Sequence, residues 1–441
     1  MLGHRYHNTT LVRWIVWVIM YMGFSLRIAV ALYSSSDAMG VDLRGDLLHH
    51  QVAQNITLGH GFVLDVGQPY SFNPPGYAFV LACSYFLFGQ NWFAVAFSQA
   101  AISMISIALV YLVARKLFNR ESGMFAAALS SFYPYTVYHS SRVMDTTLFT
   151  LIMLVIICLL VHVWQDADWK KWLLIGLVMG LGCLVRTTML AVFISISVWL
   201  IIVLGWRQGV AAISICSLGV ILVVSPWTAR NFVTERELIF ISSKGMANAY
   251  IGNNQLTMEY IDQGISLDKL WQDDRFEWPP KGLSGADERR WYFSQVVEFV
   301  KNNTNDYQIL LYRKLNSFWS PSINPSIEHS GGSDAWSEDG GLFFNVSFRY
   351  VRDITYTVSY VILVVLAVLG LANSLSWRRE TLLVLLILSM YTLVNVLVWT
   401  STRLRIPLDS LLAIFAGFGL LRALNLGHRI EHSLRNSIRF R

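Results

Sequence analysis

The chain has 441 residues, of which 54% are hydrophobic and only 14% are charged, and its net charge is +6. Soluble domains carry roughly 25% charged residues, so a large part of this chain cannot face water. Its Lys and Arg residues lie in short patches between apolar runs, which is typical of the loops of a multi-pass membrane protein and argues against a nucleic-acid partner.

About ten apolar segments are predicted to cross the membrane, which takes a helix of about 20 residues, with boundaries accurate to a few residues. The predicted spans are 11–33, 92–114, 123–139, 146–164, 172–185, 188–205, 209–226, 354–373, 380–399 and 407–424. Segment 75–88 is apolar but too short to cross alone, and we expect it to lie at the interface or to dip part-way into the membrane. The first span is too long for a signal-peptide core and lacks a small-residue cleavage site, so we expect it to be retained with a cytoplasmic N-terminus.

The positive residues predict the orientation of these spans. They fall on one side, which is then cytoplasmic, and they are Arg115, Lys116, Arg120, Lys170, Lys171, Arg207, Arg378 and Arg379, with the arginines of the C-terminal tail. The opposite side holds two long polar segments. We therefore divide the chain into an N-terminal transmembrane half (1–226) with an outer loop at 34–74, a large outer domain (227–353), and C-terminal transmembrane helices with a basic tail (354–441).

Within the outer domain, segment 286–318 has apolar residues at helical spacing, which predicts helix. Segment 329–341 is rich in Gly, Ser and Asp, which predicts a mobile loop that could act as a lid. The predicted fold class is therefore an all-α polytopic membrane protein with a mixed helix and loop segment on its outer face.

Several charged residues, arginines among them, lie at the outer ends of the spans. They depart from the rule that places positive residues mainly on the cytoplasmic side. Ionisable groups near the membrane are costly, and they usually line a cavity or pair with each other. The set is Asp37, Asp42, Arg44, Asp46, Arg142, Asp145, Arg186, Arg230, Arg403 and Arg405. A carboxylate can take the proton of an acceptor, and arginine binds phosphate, so the mixture suits glycosyl transfer from a lipid phosphate. Structural salt bridges and anchors for lipid headgroups are the alternatives.

Several short motifs resemble those of the dolichyl-phosphate-mannose protein mannosyltransferase-like family. They are Asp46-Leu-Leu-His-His-Gln-Val-Ala53, Asn73-Pro-Pro-Gly-Tyr77, Asp145 before Thr146, Leu184-Val-Arg186, Ser225-Pro-Trp-Thr-Ala-Arg230-Asn231, Ser242 to Gly245, Tyr250-Ile-Gly-Asn-Asn254 and Arg403-Leu-Arg405-Ile-Pro407. Their order relative to the spans carries the resemblance. The family has the GT-C fold and includes the aminoarabinose transferases that modify lipid A.

The resemblance implies roles for two acidic residues. Asp46 matches the catalytic acidic residue of the first outer loop, with Asp42 as the fallback, and Asp145 matches the acidic residue of the second outer loop. Some relatives bind a divalent ion at these positions, so Asp46 and Asp145 are also candidate metal ligands. The family often has Lys or Arg before the Pro-Pro pair as a phosphate contact. Asn73 stands here, so either another cation takes that role or the donor is held differently.

The resulting hypothesis is a membrane glycosyltransferase, hexosyl or pentosyl, that uses a polyprenyl-phosphate monosaccharide with inversion. Asp46 acts as general base, and Asp145 assists it or orients the acceptor, which is a lipid, glycan or protein. The remaining candidate substrate contacts are Arg403, Arg405, Arg186, Arg230, Asn254, Tyr77 and Asp42. Asn254 has a plain turn as its alternative. We expect the protein in the inner (plasma) membrane, among membrane lipids, with its site on the periplasmic or extracellular face.

Two other classes fit the same composition. An oligosaccharide ligase or polymerase also uses a lipid-linked donor and a large outer loop, and the mass of the transferred unit would separate it from a monosaccharide transferase. A transporter or flippase would have charges buried in mid-span and two related halves. The charges here lie at the outer ends of the spans, which favours the transferase.

Overall fold

The computed structural model describes residues 2–36, 47–68, 70–166, 168–265, 267–322, 346–374 and 379–439. Within these ranges the regular structure is helical, without strands. The predictions for Asp42, Asp46 and the loop 329–341 fall on residues outside the described ranges.

Seventeen α-helices are present in the described residues. They are α1 Leu2–Ser36, α2 Leu47–Thr57, α3 Gly76–Phe88, α4 Trp92–Leu117, α5 Arg120–Phe132, α6 Pro134–His139, α7 Thr146–Val163, α8 Trp169–Val185, α9 Met189–Leu204, α10 Trp206–Glu235, α11 Lys244–Ile251, α12 Gln255–Asp262, α13 Gly285–Asn302, α14 Thr304–Phe318, α15 Val346–Asn373, α16 Arg379–Leu397 and α17 Ile406–Arg439. The prediction of an all-α polytopic membrane protein is confirmed.

All ten predicted spans coincide with helices. Seven stretches in the described chain are long and apolar enough to cross a membrane: Trp14–Leu32, Phe93–Leu117, Thr146–Asp166, Trp206–Glu235, Asp353–Asn373, Arg379–Leu397 and Thr402–Asn425. The other three predicted spans correspond to the shorter helices α5 with α6, α8 and α9. The segment predicted at 75–88 is the helix α3.

The predicted span 123–139 is wrong in one respect, because it is not a single helix. It is divided between α5 and α6 at Tyr133, whose backbone is extended (φ −66°, ψ 113°). Pro134 follows, and a proline disfavours helical geometry at the residue before it. The irregular backbone from Ser140 to Asp145 then leads into α7.

Glycines set two of the closest helix pairs in the bundle. A Cβ atom on Gly176 of α8 would lie 2.2 Å from the carbonyl oxygen of Cys216 on α10. A Cβ atom on Gly419 of α17 would lie 2.0 Å from the carbonyl oxygen of Leu366 on α15. Small residues let membrane helices approach this closely, so these contacts hold α8 on α10 and α15 on α17.

The helices α11 to α14 lie in the segment predicted as the outer domain, and this segment has its own aromatic core around Tyr250, Phe276 and Tyr292. The predicted helix 286–318 is confirmed, with a break at Asn303 between α13 and α14. Trp399, at the outer end of α16, is part of the same core. The outer domain therefore packs directly on the membrane bundle.

Lys314 of α14 joins this domain to the bundle and is fully buried. Its ammonium donates to the carbonyl of Gly252 at 3.0 Å and to Asn253 Oδ1 at 3.1 Å, and it lies 3.4 Å from the carbonyls of Leu397 and Val398. These carbonyls are at the C-terminal ends of α11 and α16, where helices leave acceptors unpaired and favour a cation. One lysine thus caps two helices from different parts of the chain.

Gly252 brings the two helix ends together. A Cβ atom there would lie 1.8 Å from the carbonyl oxygen of Val398. We predict that Gly252→Ala lowers the thermal unfolding temperature of the detergent-solubilised protein, because overpacking of this kind costs about 1–3 kcal/mol. Gly245→Ala is the matched control in the same helix, since a Cβ atom there meets nothing within 4 Å. Equal stability of the two variants would contradict the close approach.

Burial lowers the pKa of Lys314 from 10.5 to about 7. The folded state then binds fewer protons than the unfolded state between about pH 7 and 10.5, so this residue makes stability rise with pH in that window. We predict a larger gain in unfolding temperature from pH 7 to pH 9 for the wild type than for Lys314→Met. The same pH response in both proteins would show that Lys314 titrates normally.

Candidate active site

An ion pair between Asp145 and Arg186 forms the centre of the candidate site. Arg186 Nε donates to Asp145 Oδ2 at 3.0 Å, and its Nη2 atom donates to Asp145 Oδ1 and to Thr146 Oγ1. Asp145 immediately precedes α7 and Arg186 immediately follows α8, so both lie at the outer ends of spans. Their side chains are 17% and 13% exposed, so the pair is mostly buried but remains partly accessible.

Asp145 stands at the N-cap position of α7 but makes no side-chain cap hydrogen bond. Burial alone would raise its pKa, but the Arg186 guanidinium, helped by His49 and Lys244, holds the pKa of Asp145 below its ordinary value. The carboxylate is therefore ionised at neutral pH. Its orientation is set by the hydrogen bonds from Arg186, because it makes no capping hydrogen bond to the backbone of α7.

Lys244 approaches the site from the start of the outer domain. Its ammonium donates to Asn73 Oδ1 at 3.0 Å and lies 5.5 Å from the ring centre of Phe72. Two backbone hydrogen bonds, from Ser243 to Ser71 and from Lys244 to Phe72, fix this alignment. Sequence reasoning singled out the motif from Ser242 to Gly245 but gave Lys244 no role.

A polar network supports the loop that carries Asp145. Gln99 Nε2 of α4 lies within hydrogen-bond distance of the Tyr77 hydroxyl at 3.0 Å and of the carbonyls of Arg142 and Met144 at 2.8 and 3.0 Å. The ring of His49 on α2 packs edge-on against Tyr77, 5.2 Å between centres. Tyr77 is buried, so its observed contacts support the loop, and contact with a substrate stays a prediction.

Arg230 and Asn254 make structural contacts in the described chain. Arg230 Nη1 and Nη2 donate to the carbonyls of Tyr70 and Phe62, each at 2.8 Å, and its guanidinium lies over the Trp227 ring. Asn254 caps α12 through a reciprocal pair of hydrogen bonds with Thr257. Arg230 thus holds the first outer loop on α10, and Asn254 fixes a helix start.

Arg403 and Arg405 lie in a 3-10 turn, Thr402–Arg405, directly before α17. Arg405 is buried and pairs with Asp409 at 3.2 Å between Nε and Oδ1. It also donates to the carbonyls of Phe318 and Ser320 at 3.0 and 2.8 Å, which ties the end of α14 to α17. Arg403 is half-buried, and its guanidinium lies 5.2 Å from the ring centre of Trp399.

The structure therefore brings together Asp145, Arg186, Lys244 and His49, and it gives Arg405 a separate carboxylate partner. Within the described residues, no group of three or more His, Cys, Asp or Glu side chains could hold a metal ion. Asp145 already accepts hydrogen bonds from Arg186. The metal prediction for Asp46 and Asp145 stays a prediction.

The ion pair makes a testable difference to stability. Arg186→Gln should destabilise the protein by about 3 kcal/mol at neutral pH, because it leaves a mostly buried carboxylate unpaired. In that variant burial raises the pKa of Asp145, so its stability should improve as the pH falls from 7 towards 5, whereas the wild type gains nothing from protonation of Asp145. Thermal unfolding across this pH range is the measurement. The double variant Arg186→Gln/Asp145→Asn should lose the pH effect, and its persistence there would assign the effect to another group.

Residues 73–229 match a protein family described as dolichyl-phosphate-mannose-protein mannosyltransferase. The matched segment includes Asn73, Tyr77, Asp145 and Arg186. No curated protein matches the chain.

Solved structures of an archaeal oligosaccharyltransferase share the fold, and a solved structure of ArnT is similar with a lower score. Archaeal oligosaccharyltransferase AglB from Archaeoglobus fulgidus, in complex with an inhibitory peptide and a dolichol-phosphate, is 14% identical and matches 95% of this chain and 52% of its own length with a TM-score of 0.50. The apo form of the Archaeoglobus fulgidus oligosaccharyltransferase is 12% identical and matches 96% and 52% with a TM-score of 0.52. ArnT from Cupriavidus metallidurans, bound to undecaprenyl phosphate, is 12% identical and matches 94% and 78% with a TM-score of 0.44.

These matches confirm the predicted resemblance to the GT-C mannosyltransferase-like family. The chain spans about half the length of the archaeal oligosaccharyltransferase.

Proposed function

We propose that this GT-C membrane protein transfers a monosaccharide from a polyprenyl-phosphate carrier to an acceptor on the outer face of the membrane. The observation that carries the proposal is the Asp145–Arg186 pair at the outer ends of two spans, with further cationic and imidazole groups close enough to lower the pKa of Asp145. A carboxylate beside cations suits a reaction in which an acceptor loses a proton and a phosphate gains charge.

In this proposal Asp46 is the general base that takes the proton of the acceptor hydroxyl or amine. Asp46 precedes α2 in the sequence, and His49, three residues later, acts electrostatically on Asp145. That influence supports assigning Asp46 to the same site. Asp145 orients the acceptor, Asp42 contacts substrate, and attack on the face opposite the leaving phosphate inverts the anomeric carbon.

The arginines predicted to bind phosphate divide into two kinds in this proposal. Arg186 and Arg403 are half-buried and are assigned to the phosphate of the donor. Arg405 and Arg230 already bind backbone carbonyls that join separate segments, so they are assigned to positioning the site. Tyr77 contacts the side chain of Gln99 and Asn254 caps α12, so both are assigned supporting roles. No step passes through a metal ion.

The sugar is proposed to be a hexose or pentose, and the acceptor a lipid, glycan or protein. The positive loops of the opposite side support a site on the periplasmic or extracellular face of an inner (plasma) membrane. The dolichol-phosphate bound to the archaeal oligosaccharyltransferase of the same fold is compatible with a polyprenyl-phosphate carrier here.

The test measures release of polyprenyl phosphate by the detergent-purified protein supplied with a native lipid extract. We expect release by the wild type and a loss of roughly 100-fold or more in Asp46→Asn and Asp145→Asn, since acid–base groups contribute about 10²–10⁴ in rate. Asp274→Asn is the control, because Asp274 is an exposed carboxylate of the outer domain. Undiminished release in both site variants would remove these carboxylates from the mechanism.

An oligosaccharide ligase is the second candidate function, because the described fold matches the archaeal oligosaccharyltransferase over 95% of this chain. Both candidates release a lipid phosphate or diphosphate and use the same outer face. Mass spectrometry of the product separates them. A gain equal to one sugar supports the monosaccharide transferase, and a gain equal to several sugars supports the ligase.

A further inference from the structure

The cations close to the candidate site differ in what balances their charge. Arg186 is paired with the carboxylate of Asp145, and Arg230 satisfies its donors on backbone carbonyls. Lys244 contacts Asn73, whose side chain is a neutral amide. Within the described part of the chain, no carboxylate lies in salt-bridge contact with the Lys244 ammonium.

Lys244 is held firmly although it is only half-buried. Its backbone amide donates to the carbonyl of Phe72, and its ammonium reaches Asn73 Oδ1. Asn73 is 1% exposed and is itself fixed, because its Nδ2 atom donates to the Tyr70 hydroxyl at 2.9 Å. An ammonium has three donors, so the single hydrogen bond to Asn73 leaves donor capacity for a ligand.

The charges around this point favour an anion. Asp145 carries one negative charge, whereas Arg186 and Lys244 carry one positive charge each, and Lys244 is near enough to lower the pKa of Asp145. The neutral Asn73 holds the Lys244 side chain without cancelling its charge. Among the described residues of the site, these two cations thus lie near a single carboxylate, the one that orients the acceptor in the proposed reaction.

We propose that Lys244, held by Asn73, binds the phosphate of the lipid-linked sugar donor and is therefore a further substrate-binding residue of the site. This inference rests on the proposed function. In the reaction the bond between the anomeric carbon and the phosphate oxygen breaks, and its electron pair stays on the phosphate. The acceptor oxygen or nitrogen forms the new bond to carbon, and its proton goes to the proposed base, the Asp46 carboxylate.

The phosphate gains a negative charge in that step, because a phosphodiester becomes a phosphomonoester. An ammonium in contact with the phosphate stabilises the product, polyprenyl phosphate, more than the donor, because the phosphodiester of the donor carries only one negative charge. Loss of Lys244 should therefore weaken binding of polyprenyl phosphate and slow turnover, rather than changing only the affinity for the acceptor.

The experiment measures binding of undecaprenyl phosphate to the full-length protein in detergent, with thermal unfolding as the check on folding. We expect Lys244→Gln to weaken binding by roughly tenfold or more, as for loss of a charge-assisted hydrogen bond. Lys281→Gln removes the same charge from an exposed position of the outer domain and should bind like the wild type. Inorganic phosphate and phosphatidylglycerol vesicles serve as competitors.

A second variant leaves the lysine in place. Asn73→Asp has the same shape but puts a carboxylate against the ammonium, so it should weaken binding to a similar extent as Lys244→Gln. If the wild type binds and both variants bind equally well, Lys244 has no phosphate role and the proposed function stands. If inorganic phosphate or phosphatidylglycerol competes as well as undecaprenyl phosphate, the assignment to the donor is overturned. If the wild type does not bind undecaprenyl phosphate, the proposed function itself fails.

Discussion

Hydrocarbon offers no hydrogen-bond partner, so each span must satisfy its own backbone as a helix, and irregular backbone is confined to the membrane surfaces. In this protein three charged residues of the candidate site lie directly beside the ends of helices. Asp145 lies just before α7, Arg186 just after α8, and Arg403 just before α17. Packing of the bundle sets the positions of the helix ends, and these positions determine where the charged side chains beside them lie. The same constraint explains why the carboxylate and guanidinium of the candidate site meet at the outer ends of two adjacent spans.

Basic side chains connect the separate parts of the structure by binding backbone carbonyls. Arg230 joins the first outer loop to α10, Arg405 joins the end of α14 to α17, and Lys314 joins α11 and α16. A buried cation needs such partners, because removal from water is costly. Of the arginines predicted at the outer ends of the spans, Arg230 and Arg405 are therefore used to hold separate segments together. Arg186, which contacts Asp145, Lys244, which contacts the neutral Asn73, and the half-buried Arg403 are the cations that we propose to bind a ligand.

The fold alone does not choose between a monosaccharide transferase and an oligosaccharide ligase, since related sites on one fold perform different reactions. The family match over residues 73–229 covers Asp145 and Arg186 and favours the mannosyltransferase-like chemistry. The match to the archaeal oligosaccharyltransferase extends over nearly the whole chain but only half of that protein. The aromatic core of the outer domain packs directly on the end of α16.

The sequence by itself determined the helical class, nine of the ten predicted spans as single helices and the helix at 286–318, and it named Asp145 and Arg186 as candidates. The helices follow from hydropathy and from the spacing of apolar residues, which are local properties of the chain, and the candidates follow from the order of the motifs. It did not determine that span 123–139 breaks at Tyr133, that Gly252 lies against Val398, or that Lys244 reaches Asn73, 171 residues earlier. Those contacts depend on how distant helices pack against one another. Only the tertiary structure, therefore, decided that Arg230 and Arg405 bind carbonyls of other segments. It also decided that Lys244 contacts the neutral amide of Asn73.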